Sequence, residues 1–358
     1  MKKVLVVFPW KFVDSPYYRN LINYPPEGYY YLNKMSDTLI INPKKFSIYS
    51  KIKEISRKVI NKTGIHIPIV KYKKYNVDLI HCARCILLNK KNYVVDVEIF
   101  YSLSYNLHQS LNRQPYRTIV RKLLERENCK KILPWTYASY YSFPEEIRKK
   151  LKDKFEVLYP AVPEPKIKKV KHDKLTILFI GRYFYYKGGH YALEVFRKLK
   201  EKYDIEAILI SMTIPDSLIK KYEKFGIKIY KSIPSDLLYN EIYPKTDILF
   251  YPGFSDTFGF AFIEALSYGI PVVTYDGFAR REIIEDGKNG TIIENKWRDP
   301  IRKLYKDLIE EFYNKTKELI ESNLNEFSKN AYKIYKEKFS IEVRNKKLKE
   351  IYDYAIEN

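Results

Sequence analysis

The stretch that most constrains this chain is Tyr251 to Val273, YPGFSDTFGFAFIEALSYGIPVV. Ahead of it, Thr246-Asp247-Ile248-Leu249-Phe250 has the look of a short buried strand. The spacing after it predicts a helix from Phe260 to Tyr268, stopped by Gly269 with Pro271 following. A strand feeding a helix through a tight turn belongs to α/β proteins with parallel sheets. Such a turn is also an anion site, because backbone N–H groups and the helix dipole point the same way. Two carboxylates flank it, Asp256 in the turn and Glu264 in the helix. Glu264 can accept hydrogen bonds from vicinal hydroxyls, so the stretch suits a sugar nucleotide, with phosphates at the turn and ribose at the glutamate.

The stretch resembles the Glu-x7-Glu signature of family 4 glycosyltransferases, with Asp256 in the first acidic position and Glu264 in the second. Gly259, the following Gly269-Ile270-Pro271-Val272-Val273 and the later Glu285-Asp286-Gly287-Lys288-Asn289-Gly290 match as well. The ordered set is what makes the resemblance specific; the alternative is a βαβ unit of some other α/β protein with Glu264 merely solvated. The resemblance implies the GT-B fold, in which two Rossmann-like domains with parallel sheets face a central cleft. It also implies that the last helix, Ser340–Ile356, crosses back to the N-terminal domain.

A second motif, Gly181-Arg182-Tyr183-Phe184-Tyr185-Tyr186-Lys187-Gly188-Gly189, follows a buried strand at Leu175–Ile180 and opens a helix at His190–Lys202. An Arg and a Lys around a glycine-bordered turn can neutralise a diphosphate. It resembles the G-R-x-x-x-x-K-G segment of the same enzymes, which implies that Arg182 and Lys187 hold the nucleoside diphosphate as it leaves. Cations placed in advance at the developing charge lower the barrier. The resemblance further implies donor contacts from Gly181 and from the backbone at Gly259, Phe260 and Ala261, ribose binding by Glu264, and a contact between Asp256 and the transferred sugar. It implies retention of configuration, a UDP- or GDP-sugar donor, no tightly bound cofactor and no required metal. Aspartate is one methylene shorter than the usual glutamate, a departure that bears on the sugar.

The first half matches less well. The family has a glycine-rich loop after its first strand; here the loop runs Pro9 to Glu27 and ends at Gly28, which is expected to enter a tyrosine-rich helix and approach a phosphate or the acceptor. Where the family has a histidine at a central strand end, this chain has Tyr93-Val94-Val95-Asp96-Val97-Glu98. Period-2 alternation puts Asp96 and Glu98 on one face, where either can contact the donor sugar or orient the acceptor hydroxyl; polar strand-end roles are the alternative. Asp96-Val97-Glu98 also has the shape of the D-x-D metal site of GT-A transferases, but that competes with Arg182 and Lys187 and lacks its surrounding pattern.

The other first-half strands are expected at Val4–Phe8, Val77–Ile80, Lys131–Leu133 and Val157–Tyr159, with helices at Ile52–Asn61 and Arg113–Arg126. In the second half strands are expected at Ala207–Ser211, Ile227–Tyr230, Asp247–Tyr251 and Val272–Thr274. The proline-bearing run from Pro160 to Pro165 is the best linker. It divides the chain into residues 1–165, the acceptor side, residues 166–339, the nucleotide-sugar side, and a last helix over 340–358.

Charge sharpens the asymmetry. Of a formal +22, residues 1–165 carry 30 Lys and Arg against 14 Asp and Glu, and residues 166–358 carry 35 against 29. Such a field in one half points to an acidic partner there: an anionic membrane surface, an acidic, lipid-linked or glycan acceptor, or nucleic acid. Arg113, Arg117 and Arg121 stand at i, i+4 and i+8 beside Ile119, Val120, Leu123 and Leu124, the pattern of a basic amphipathic helix. No apolar run reaches the ~18 residues of a membrane span, and the apolar start is too short for a signal peptide. Three cysteines, with Cys82 and Cys85 as C-x-x-C, suit reduced thiols better than a zinc site. A cytoplasmic protein, in place or peripheral to a membrane, is expected. The function implied is sugar transfer in glycan, glycolipid or glycoprotein synthesis. A GT-B transferase acting on nucleic acid, and a non-catalytic binding protein on such a scaffold, are the alternatives.

Overall fold

Every β-ladder among the described residues is parallel, as the alternation of strands and helices demands. The computed structural model describes residues 1–8, 15–33, 55, 70–71, 76–104, 114–297 and 299–358. Apart from residue 55, the helix expected at Ile52–Asn61 lies outside them, as do Arg113 and part of the loop after the first strand. The chain forms two units, Met1–Ala161 with Ile341–Asn358, and Val162–Ser340.

In the first unit the strands are β1 (Lys2–Val7), β2 (Tyr29–Tyr31), β3 (Val70–Lys71), β4 (Leu79–Ala83), β5 (Ile86–Leu87), β6 (Tyr93–Val97) and β7 (Cys129–Pro134). Five make one sheet in the order β2-β1-β4-β6-β7, while β3 pairs with β5. All five residues of β4 and of β6 are buried, the signature of a central strand covered on both faces. The Ile341–Glu357 helix packs on β4, β6 and β7. It buries Arg344, Leu348, Ile351, Tyr352 and Ala355, a single stripe at helical spacing. Cys82, Cys85 and Cys129 are free and buried.

Two local expectations in this unit are corrected. The tyrosines after Gly28 form strand β2 and not a helix: Tyr29 N–H donates to Pro26 O at 3.1 Å, closing a turn whose third position, Gly28, has φ +84°. Glycine fits that position of a type II turn, and successive tyrosines then suit an extended edge. Val157–Tyr159 is not a strand. Leu158 N–H reaches Pro134 O and Glu156 N–H reaches Ile132 O, both at 2.9 Å, but the run along β7 forms no ladder beyond the isolated bridge of Ile132 with Phe155.

In the second unit the strands are β8 (Thr176–Ile180), β9 (Glu206–Ile210), β10 (Lys228–Tyr230), β11 (Ile248–Phe250), β12 (Val272–Tyr275) and β13 (Gly290–Ile293). Their order is β10-β9-β8-β11-β12-β13. The chain builds outward from β8 in one direction and then returns to build outward from β11 in the other. The reversal opens a crevice at the carboxyl ends of β8 and β11, where doubly wound sheets bind ligands. Strand β13 is an addition to the sequence reading. Its first residue, Gly290, lies so close to β12 that a Cβ there would sit 2.3 Å from Val272 O.

Candidate active site

The two motifs are the two loops at this reversal: Gly181–Gly188 leaves β8, and Tyr251–Gly259 leaves β11. Gly181 is there for room, since a Cβ on it would lie 2.7 Å from Lys187 Cβ. The Lys187 ammonium reaches across to Asp256 Oδ1 in an ion pair, each side chain only 15% exposed. The main chains are joined as well, with Gly253 N–H donating to Lys187 O at 3.0 Å. Arg182 lies half-buried in the first loop. Around it Tyr183, Tyr185 and Tyr186 stand 38%, 43% and 53% exposed, an aromatic rim on a loop otherwise anchored by buried Phe184.

Asp256 is fastened from three sides. Its Oδ2 accepts from the buried Tyr251 hydroxyl at 2.6 Å, and its carbonyl accepts from Arg280 at 2.7 Å. Arg280 also donates to Gly253 O, so one buried guanidinium ties both ends of the turn. Burial lowers the Arg280 pKa, against the opposing pull of Asp256. Burial, followed by the Asp256 charge, pushes the Tyr251 hydroxyl well above its ordinary range, so it stays a donor.

The turn ends at Gly259, whose φ of +84° and lack of a Cβ let the Phe260–Ser267 helix start above the Phe262 ring. Amides in the first turn of a helix have no helical carbonyl four residues back to bond. One turn in, Glu264 is half-buried. Tyr239 donates to its Oε1 at 2.9 Å and Tyr243 to its Oε2 at 3.1 Å. A carboxylate oxygen has two acceptor positions, so a bond from tyrosine does not by itself close either oxygen to a ligand diol.

The structure thus joins the loop of Gly181, Arg182 and Lys187 to the loop of Asp256 and Gly259, with Phe260, Ala261 and Glu264 on the helix that follows. Sequence reading missed Tyr251, Arg280, Tyr239 and Tyr243, the groups that hold the two acids. The signal for Tyr251 was its position at the end of β11, next to the motif. Tyr239 and Tyr243 lie 25 and 21 residues upstream of Glu264 and carry no local signal.

The first unit distributes its expected residues differently. Gly28 sits at the amino edge of the sheet, its carbonyl accepting from Lys2 N–H at 2.8 Å. That is the edge opposite the carboxyl ends of the strands, and Gly28 closes the turn there. Asp96 is 0% exposed. It accepts from the Tyr18 hydroxyl at 2.8 Å and from Arg84 N–H at 3.2 Å, and it lies 3.2 Å from His81 Nε2. His81 Nδ1 is in turn 2.7 Å from the Tyr352 hydroxyl. Glu98, beyond the end of β6, is partly exposed and ion-paired with Arg84. Arg84 itself follows β4 in a left-handed backbone, φ +54°. Among the described residues no cluster of three or more His, Cys, Asp and Glu is built to hold a metal.

Two parallel doubly wound sheets, one with loops that bracket a Lys–Asp pair and a glycine-capped helix, define a GT-B protein. Residues 163–333 match the family of glycosyl transferases group 1. In this match the chain is similar to glycosyltransferases, and the match falls on the unit that carries both motifs. It is 26% identical over 334 residues to a 41.2 kDa protein in the cps region of Klebsiella pneumoniae, covering 84% of this chain and 89% of that protein. A glycosyltransferase of Haemophilus influenzae is 26% identical over 52% of this chain and 54% of its own length. Among solved structures, Anabaena HepE bound to UDP superposes with a TM-score of 0.63 over 98% of this chain and 99% of that one, at 13% identity. A Rickettsia africae glycosyltransferase does so with 0.60 over 99% and 98%, at 15% identity. At such identities the likeness is one of fold. Among the described residues no helix is long and apolar enough to cross a membrane.

Proposed function

We propose that this protein transfers a sugar from a nucleoside diphosphate to an acceptor hydroxyl with retention of configuration. The observation that carries the reading is the crevice at the β8/β11 reversal, where Lys187, Asp256 and the Gly259-capped helix meet. In this reading Lys187 and Arg182 take the diphosphate, with the amides around Gly259, Phe260 and Ala261, and stabilise the charge that grows on it as the bond to the sugar breaks. Glu264, held by two tyrosines, takes the ribose hydroxyls. Asp256 meets the transferred sugar. The positive charge comes from side chains, so the reaction runs without a divalent metal, and EDTA leaves it unchanged.

UDP is the first donor base to try, because the Anabaena structures hold UDP and UDP-glucose. On the acceptor side the reading assigns Glu98, at the carboxyl edge of β6, in preference to the sealed Asp96. An acidic or lipid-linked acceptor fits the basic first unit. There Arg117, Arg121 and Lys150 line a cavity of about 320 Å³ together with Glu146. Cosedimentation with phosphatidylglycerol vesicles but not with phosphatidylcholine vesicles supports a membrane-side acceptor; equal or no binding to the two removes it.

The deciding experiment is nucleotide release from UDP-, GDP- and ADP-sugars. Release from one of them, lost in Glu264→Ala and Arg182→Ala, supports the assignment. Unchanged release in both variants overturns the site.

A further inference from the structure

Lys187 is assigned to the diphosphate, yet in the protein alone it is already taken. Its ammonium is paired with Asp256 Oδ1, and both side chains are largely withdrawn from water. Two half-buried charges hold each other more firmly than an exposed pair does, and either one left alone is costly. A diphosphate entering the crevice must therefore displace a carboxylate. What happens to that carboxylate is set by the other oxygen. Asp256 Oδ2 is bonded to Tyr251, buried to 4% exposure, and the Asp256 backbone is bonded to Arg280. Neither bond involves Lys187, so loss of the ion pair leaves the carboxylate in place with Oδ1 open.

We propose that Asp256 is an exchangeable counter-ion of Lys187, and that Tyr251 is the positioning residue that makes the exchange productive. This rests on the donor-site reading above. The diphosphate takes Lys187, and the released Oδ1 becomes an acceptor for a hydroxyl of the sugar attached to that same diphosphate. Sugar recognition is thereby conditional on diphosphate binding. The short side chain suits this exchange, since aspartate spans from the turn to Lys187 while its second oxygen stays within reach of Tyr251. Exchange needs no rearrangement of the turn, because the turn is held by Arg280 through main-chain carbonyls.

The test is titration calorimetry on the full chain with UDP, and GDP and ADP in parallel, with uridine as the phosphate-free control. Asp256→Asn keeps the shape and removes the competing charge. It should bind UDP about fivefold tighter, as expected for the loss of a competing ion pair, while transfer falls. Uridine binding should not move. UDP affinity that is unchanged or weaker in Asp256→Asn overturns the proposal. Tyr251→Phe should lower kcat and weaken UDP binding about twofold, because the displaced carboxylate then keeps no partner. Wild-type behaviour of Tyr251→Phe in both removes Tyr251 from the mechanism, and this variant decides the matter if Asp256→Asn does not fold. A wild-type protein that binds none of UDP, GDP and ADP overturns the donor-site reading itself, a result distinct from normal binding with no gain in the variant.

Discussion

Asp96 and Asp256 are both aspartates near the carboxyl edge of a parallel sheet, and the fold uses them in opposite ways. Asp96 is enclosed by Tyr18, His81 and the Arg84 amide, with no exposed surface. Asp256 is anchored on one oxygen by Tyr251, while its other oxygen faces Lys187 at the mouth of the crevice. The first arrangement satisfies a buried charge and fixes strands and helices around it. The second keeps one acceptor where a ligand can claim it. Position in the topology is therefore a weaker guide to role than the count of lone pairs the protein has already used.

Lys187→Ala breaks the comparison most severely. It removes the cation proposed for the leaving group, and transfer should fall ~10²–10³-fold. Thermal melting should fall less than in Asp96→Ala, since Asp256 keeps Tyr251 and Arg280. Nucleotide release and melting measured on the same preparation check both halves of the statement. A variant that loses its fold, or one that transfers normally, would show that the pair is structural. Asp96→Ala should behave in the opposite way. Three groups that meet at its carboxylate would be left facing a void, and the expected cost is about 3–5 kcal/mol of stability. A loss of activity in Asp96→Ala with an unshifted melting temperature would instead place Asp96 among the reacting groups.

The same contrast explains what sequence could reveal. The proposed second-unit site is two contiguous runs, because both loops flank a single reversal and its groups lie within a few residues of a glycine. Lys187 and Asp256, 69 residues apart, meet because β8 and β11 are neighbours in the sheet. The holding groups were not legible. Arg280 reaches Asp256 from 24 residues downstream, and the tyrosines on Glu264 come from a segment with no motif of its own. In the first unit the gap is larger. His81 finds its partner Tyr352 at a separation of 271 residues, through a helix whose register no local pattern reports. Tyr29–Tyr31 was misread because a run of tyrosines has no period, and the turn at Gly28 decides between strand and helix.

A smaller effect separates the diphosphate loop from its surroundings by pH. His190, just after Gly189, is mostly buried among aromatic rings, with Nε2 2.9 Å from Pro300 O. Burial lowers its pKa from 6.5 to about 4, against the opposing pull of the Pro300 carbonyl. The unfolded chain thus binds a proton that the folded chain refuses between about pH 6.5 and 4. Stability from this group is complete above that window and is lost as pH falls through it, by at most about 1.4 kcal/mol per pH unit. His190→Gln should lose less than the wild type when melting at pH 7.5 is compared with melting at pH 5. Equal losses would mean that carboxylates elsewhere govern the acid response.

The smallest expected effect tests the edge to which Gly28 belongs. Its φ of +84° closes the turn into β2, and a Cβ there would meet nothing within 4 Å. The cost of Gly28→Ala is then backbone strain alone, about 1 kcal/mol. Because the turn lies at the amino edge, beside Lys2, transfer by the folded variant should be unchanged. A drop in kcat at wild-type stability would return Gly28 to the acceptor side of the reaction. A drop in stability alone leaves the carboxyl edge, with Arg84 and Glu98, as the part of the first unit that faces chemistry.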